Sequence, residues 1–243
     1  MNFYAVIIGS EILNARREDK HFKFVQNELS KYGHTLFASF ILKDDVTLIK
    51  KCFELIKEDE NSVLFSFGGI GSTPDDLTRE IASKVFTNSG LVRHKQFEKD
   101  IIEKFQDEAF PHRIFMADLP ADSELLFNPI NNMSGFSLNE RFFFVPGFPQ
   151  MSHPMISEVI KNKFNKVDKN YRYTLLAQTS ENTLITLMKQ LPENIELSSL
   201  PIIGENGPMV ELSLSSIDKK NVAHHFNLFI EELEKSKISY KLM

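Results

Sequence analysis

Short apolar runs alternate with amphipathic stretches along the first two thirds of the chain, a pattern that predicts a mainly parallel sheet with helices on both faces. Residues 3–8, 35–42 and 62–67 are compact apolar or β-rich runs suited to strands buried on both sides. Helices are predicted between them. Residues 21–32 end at Gly33, a left-handed helix terminator, and residues 45–59 repeat Val46, Ile49, Cys52, Phe53 and Ile56 at helical spacing. Cys52 therefore reads as core. A glycine-rich loop after the third strand leads into a helix running to about Phe86, and a further helix is predicted over 94–106. Residues 124–127 and 141–145 read as strands, the second stopped sharply by Pro146-Gly147-Phe148-Pro149. In Phe142-Phe143-Phe144 alternate rings would face opposite layers, so these aromatics read as core.

A helix over 151–164 runs into a Lys- and Asn-rich stretch, 161–171, with few apolar anchors. It reads as a solvated linker and marks a boundary between a domain over 1–165 and a second over 172–243. The second carries strands over 173–178, 195–200, 209–213 and 238–242, with helices over 181–191 and 222–236. This βαββαβ order predicts a small α+β unit with its helices on one face.

Length and composition narrow the class. The 243 residues make about one and a half typical domains. With 42% hydrophobic and 25% charged residues, a disordered or fibrous chain is excluded. Against 33 Asp and Glu stand 28 Lys and Arg, a net −5, which lacks the basic excess of non-specific nucleic-acid binding. One cysteine precludes an intrachain disulfide or a four-cysteine zinc site and fits a reducing compartment. The apolar start lacks a basic lead-in and no run approaches the ~20 residues of a membrane span, so a cytoplasmic protein is expected. The seven His show no metal-ligand spacing, and His21 reads as a helix-start or surface residue before a catalytic one.

The segment richest in chemistry is Gly68-Gly69-Ile70-Gly71-Ser72-Thr73-Pro74-Asp75-Asp76. Glycines at the carboxyl end of a strand let the backbone turn tightly and aim N–H groups at an anion, and the following helix adds its positive end. The spacing is neither the dinucleotide Gly-x-Gly-x-x-Gly pattern nor a P-loop, so no kinase or ATPase is implied. Asp75 and Asp76 would repel a bare phosphate but would hold a divalent cation bridging to one. The competing structural reading is an ordinary helix start, with Thr73 as N-cap, Pro74 at the first helical position and acids in the first turn.

Extended through Leu77-Thr78-Arg79-Glu80, this segment resembles the signature of the competence/damage-inducible protein A family. Gly9-Ser10-Glu11-Ile12-Leu13 resembles that family's opening motif. Met116, Pro120, Asn128-Pro129, Gly135-Phe136 and Pro146 to Pro149 follow in the family's order. Thr179-Ser180-Glu181 and residues 209–213 are similar to the ends of its small α+β module. The resemblance implies a doubly wound α/β fold of the molybdopterin-binding-like type. It also implies divalent-metal-dependent hydrolysis of ADP-ribose-like nucleotide diphosphates to AMP and a sugar phosphate. Pterin binding or adenylylation is the alternative, in a domain with or without turnover. Longer members carry a further C-terminal deamidase domain for which 243 residues leave no room, so deamidation is not expected.

By the same resemblance Gly68, Gly69, Gly71, Ser72 and Thr73 would cradle phosphates, and Asp76 with Asp75 would position metal and water. Glu11 and Asp19 would complete the metal shell. Pro146, Gly147 and Phe148 would form the far wall, with Phe148 stacking on a base. The cofactor would be Mg, Mn or Co, with K⁺ as a further candidate. The partner would be a small nucleotide or pterin, not nucleic acid or a membrane, in a chain able to self-associate. The departures fall at the site: Ala15 and Asp19-Lys20-His21 replace the family's Gly and Asp-Thr-Asn. Ser72, Asp122-Ser123, Asn131 and Ser134 replace small or rigid residues. Such changes leave the fold inference stronger than the activity, since function resides in the site.

Overall fold

The computed structural model describes every residue except 88, 166–169 and 205–206, so the centre of the Lys-rich linker lies outside the described residues. The chain divides into two compact units, Met1–Lys166 and Val167–Met243.

The first unit opens with β1 (Asn2–Ile8), the single turn α1 (Ser10–Leu13), α2 (His21–Ser30) and β2 (Leu36–Leu42). It continues through α3 (Val46–Glu58), β3 (Ser62–Phe67), α4 (Thr78–Phe86), β4 (Leu91–Arg93) and α5 (Lys95–Phe105). Two 3₁₀ turns, Gln106–Ala109 and Arg113–Ala117, precede β5 (Asp118–Pro120). The unit closes with β6 (Glu124–Leu126), β7 (Gly135–Leu138), β8 (Phe142–Val145) and α6 (Pro149–Lys163). Six strands form one sheet in the order β2-β1-β3-β8-β7-β6. The first four are mutually parallel and the last two antiparallel. β4 and β5 form a separate ribbon.

Strand periodicity explains the layering. Tyr4, Val6, Ile8, Leu64, Phe142 and Phe144 face one core shared with α3, α4 and α5. Phe3, Ile7, Val63, Phe65, Phe67, Phe143 and Val145 face the other, shared with α2 and α6. The Phe142–Phe144 run therefore splits between layers, and Cys52 is buried, its thiol pushed up to about 12 by that burial. Phe144 is fully buried and stacks on Phe136 at 4.6 Å between centroids. Truncating it to alanine is worth roughly 3–5 kcal/mol.

Local chemistry sets the helix starts. The Asp45 side chain accepts from Leu48 N at 2.8 Å, and His94 Nδ1 accepts from Phe97 N at 3.3 Å. The expected helix start at Thr73-Pro74 is overturned: α4 begins at Thr78, because Asp76 turns back to accept from Thr73 N (2.8 Å) and Thr73 Oγ1 (2.6 Å) and closes a separate turn.

In the second unit β9 (Tyr171–Ala177) is followed by a 3₁₀ turn (Glu181–Thr183) and α7 (Ile185–Met188). The hairpin β10 (Glu196–Gly204) and β11 (Gly207–Ser216), then α8 (Lys219–Lys235) and β12 (Tyr240–Leu242), complete it. The sheet order is β10-β11-β9-β12, all antiparallel, with α8 packed on its apolar face through Val222, Phe226, Phe229 and Leu233. The helix expected over 181–191 is broken. Leu184 is fully buried, and the Ser199 hydroxyl donates to the Glu181 carboxylate, so the segment follows the core and the neighbouring strand. Among the described residues no helix is long and apolar enough to cross a membrane.

Candidate phosphate-binding site

The order β2-β1-β3 reverses direction at β1, and the carboxyl edge of such a reversal leaves a crevice between diverging connections. The loops after β1, β3 and β8 meet there. Glycine is required for the approach: a Cβ at Gly68 (φ +98°) would lie 2.4 Å from Ile8 O, and one at Gly69 (φ +69°) 2.4 Å from Thr78 Oγ1. On the opposite wall a Cβ at Gly147 would lie 3.3 Å from the Gly68 Cα.

The first turn of α4 fixes this loop through its carbonyls. Thr78 Oγ1 donates to Gly68 O at 2.9 Å, Thr78 N to Gly69 O at 2.9 Å, and Arg79 Nη2 to Gly71 O at 2.6 Å. In a trans peptide the C=O and the next residue's N–H point in opposite directions. Pinning these three carbonyls to α4 therefore turns the N–H groups of Gly69, Ile70 and Ser72 away from the helix. Among the described residues none of the three has a protein acceptor, nor has Gly71 N–H, whereas Gly68 N is held by Val145 O at 3.0 Å. The result is a half-buried nest of free donors able to receive an anion.

Glu11, Asp44, Asp75 and Asp76 stand around it. Gly68, Gly69, Gly71, Ser72, Thr73, Glu11, Asp75, Asp76, Pro146, Gly147 and Phe148 all line one cavity of about 490 Å³. Hydrogen bonding within this turn, including to the residue's own backbone N–H, holds the Asp75 carboxyl below its ordinary value. Asp44 is engaged by Ser10, accepting from its N at 2.8 Å and its Oγ at 2.7 Å. Asp19 is placed elsewhere. Its two carboxylate oxygens accept from His21 N (2.8 Å) and Phe22 N (3.1 Å), so it caps α2 and does not line the cavity. Among the described residues no three His, Cys, Asp or Glu side chains are grouped to hold a metal ion. A hard cation shared with a diphosphate needs only one or two carboxylates besides the phosphate oxygens, a requirement that Asp75 and Asp76 meet by type.

The wall 146–149 is held from beneath by two histidines. His21 is 3% exposed and stacks on Phe67 at 4.3 Å between centroids, and its Nε2 lies 3.3 Å from Gly147 O. His153 Nε2 lies 3.3 Å from His21 Nδ1, and the His153 ring stacks on Phe24 at 3.8 Å. A run of two donations, His153 Nε2–H to His21 Nδ1 and His21 Nε2–H to Gly147 O, satisfies both nitrogens of His21 with the two rings neutral. Burial accordingly pushes the His21 pKa down, and it pushes that of His153 down to about 4 with help from the neighbouring ring. His21 does start α2, as its position suggests, but it is buried.

Residue spacing gave no sign of Arg17 or Arg113, which also line the cavity. The Arg17 guanidinium lies 5.8 Å from the centroid of the half-exposed Phe148 ring and 3.8 Å from Glu11. His153 lies 132 positions from His21, and such separations leave no local signature.

Residues 4–166 match the family described as "Probable molybdopterin binding domain". The chain is 31% identical over 160 residues to a CinA-like protein of Acaryochloris marina, which covers 63% of this chain and 38% of the relative. A CinA-like protein of Flavobacterium psychrophilum is 25% identical over 251 residues, covering 94% of this chain and 57% of the relative. The chain thus spans about two fifths to three fifths of the length of these curated relatives. The crystal structure of the protein CinA with unknown function from Thermoplasma acidophilum superposes with a TM-score of 0.60 at 25% identity. It covers 67% of this chain and 98% of that one.

Proposed function

The chain belongs to the family of probable molybdopterin-binding domains, and from that premise we propose that the nest at Gly69–Ser72 binds the phosphate part of a nucleotide or pterin. The observation that carries this reading is the pinning of the Gly68, Gly69 and Gly71 carbonyls by Thr78 and Arg79, which leaves consecutive N–H groups free at a sheet's carboxyl edge.

The specific activity we propose is hydrolysis of an ADP-ribose-like diphosphate. Water adds to one phosphorus and the bridging P–O bond breaks, giving AMP and a sugar phosphate. The free N–H groups stabilise charge developing on the phosphate oxygens. Asp75 and Asp76 orient the water and take its proton, and Phe148, half exposed on the cavity wall, offers a face to a base. A divalent cation held by Asp75 and Asp76 together with the diphosphate would neutralise phosphate charge and acidify water. Purified protein incubated with ADP-ribose, FAD or a dinucleoside polyphosphate, with Mg²⁺, Mn²⁺ or Co²⁺, is expected to release AMP. Asp76→Asn is expected to reduce the rate on the order of a hundredfold with an unchanged thermal midpoint. Undiminished release by the variant, or release without added metal in chelator, rejects the assignment.

One observation favours a second reading, a binding protein without turnover. Asp19 is committed to capping α2 and Asp76 Oδ2 to closing its own turn, so two of the expected metal ligands are already engaged. Measurable binding of ADP-ribose with no metal-dependent product supports that reading over the hydrolase.

A further inference from the structure

Arg79 is a buried cation without a buried anion. Only 8% exposed, it gives Nη2 to Gly71 O at 2.6 Å and Nη1 to the carbonyls of Phe115 and Asp118. Its Nε is buried with no partner, and among the described residues the side chain makes no ion pair. The Asp118 carboxylate is taken by Arg93, Nε–Oδ1 2.5 Å and Nη2–Oδ2 3.2 Å. Taking a charge out of water without a counter-charge is costly, and carbonyl dipoles recover only part of that cost. A fold that needed only a crosslink between the glycine loop and residues 113–118 could use a neutral donor.

The position explains the charge. The guanidinium lies on the α4 side of the Gly71–Ser72 peptide, and the Ser72 N–H points away from it. The segment held at the other end of the fork includes Arg113 and Met116, which line the same cavity. We infer that Arg79 is a positioning residue whose buried charge, placed behind the glycine nest, is balanced by the anion the nest receives, so that it sets the site's preference for multiply charged phosphates. The inference rests on the proposed phosphate-binding role of the nest and adds to it a determinant of charge selectivity. Burial disfavours the charged guanidinium, and the nearby carboxylates of Asp76, Asp118 and Glu80 oppose that effect without pairing with it.

Inorganic pyrophosphate and orthophosphate, each with and without Mg²⁺, are the probes, titrated by calorimetry into the full chain, Arg79→Lys, Arg79→Gln and Gly71→Ala. The protein is expected to prefer pyrophosphate, and Gly71→Ala to weaken both probes. Arg79→Gln is expected to reduce the pyrophosphate-to-orthophosphate preference on the order of tenfold, because the more highly charged ligand loses more Coulomb attraction. Arg79→Lys keeps the charge and loses the fork, so it is expected to keep the preference at a lower melting temperature. A purely structural Arg79 would lower the melting temperature and both affinities alike, and an unchanged preference in Arg79→Gln overturns the inference while leaving the nest intact. If Arg79→Gln does not fold, the guanidinium nitrogen signals of the unsubstituted protein decide: they are expected to shift at pyrophosphate saturation, and no shift overturns the inference. Absence of pyrophosphate binding to the unsubstituted protein rejects the nest and the role of Arg79 with it.

Discussion

The two walls of the cavity are built alike and held differently. Gly71 on one and Gly147 on the other each give a carbonyl oxygen to a buried polar side chain, Arg79 and His21, and so face the following N–H the other way. Arg79 carries a permanent charge. His21 is neutral and passes its demand for a donor to His153. One wall is thus insensitive to pH across the physiological range, and the other depends on two imidazoles staying unprotonated.

The largest expected effect breaks the closer-packed wall. Gly68→Ala puts a Cβ 2.4 Å from Ile8 O at a φ of +98°, and neither strand end can retreat without breaking the parallel pairing of β1 and β3. A loss of about 3 kcal/mol in unfolding free energy is expected. A urea titration checks it. A loss below about 1 kcal/mol would mean that the two strand ends are looser than described.

Acid tests the other wall. With His153 held down at about 4 and His21 also below its ordinary 6.5, the unfolded chain binds protons in that window that the folded chain refuses. Stability is therefore complete above pH 6.5 and falls as pH drops toward 4, with a slope approaching about 1.4 kcal/mol per pH unit from His153 and a further contribution of the same sign from His21. Asp19 is the nearby carboxylate that opposes the effect. His153→Gln keeps a donor for His21 and removes one titration. Denaturant midpoints measured between pH 4 and 7 should then fall less steeply, and an unaltered slope would show that other groups govern acid unfolding.

How far this contrast could be read in the sequence depends on the range of each interaction. The strands at 3–8 and 62–67 were legible because a strand buried on both faces must be apolar throughout, and the glycine loop because positive φ and close approach exclude a Cβ. β7 was not. Gly135 opens its four-residue run where an apolar residue would have marked it, and it is glycine because a Cβ would lie 2.3 Å from Phe144 O, a constraint from a neighbouring strand. Thr73-Pro74-Asp75-Asp76 misleads because a turn closed by Asp76 and a helix N-terminus favour the same residue types. Asp19 is a metal ligand by resemblance alone, and acids suit metals and helix caps equally, so only the structure could reveal its two bonds to α2. Arg79 lay inside the recognised motif, yet its function depends on carbonyls 36 and 39 positions away.

A milder change probes where the walls touch. Gly147→Ala brings a Cβ to 3.3 Å from the Gly68 Cα, a contact that a few tenths of an ångström would relieve. About 1 kcal/mol of stability should be lost, together with affinity for pyrophosphate, because the crevice must widen. A loss as large as that of Gly68→Ala would show that the His21 wall is as rigid as the Arg79 wall.

The smallest effect belongs to the rim, where Arg17 lies over Phe148 and 3.8 Å from Glu11. The ion-pair side chains are 60% and 40% exposed, so solvent screens the attraction and ordering two long side chains offsets most of it. Arg17→Ala should therefore change unfolding free energy by less than about 0.5 kcal/mol. Affinity for a ligand carrying a base should fall further than affinity for pyrophosphate, because Phe148 loses the cation above its ring and offers a less fixed face for stacking. Parallel titrations of ADP-ribose and pyrophosphate separate the two effects. Equal losses for both would place Arg17 with the phosphate-binding nest, giving that wall a second, solvent-facing cation opposite the buried one.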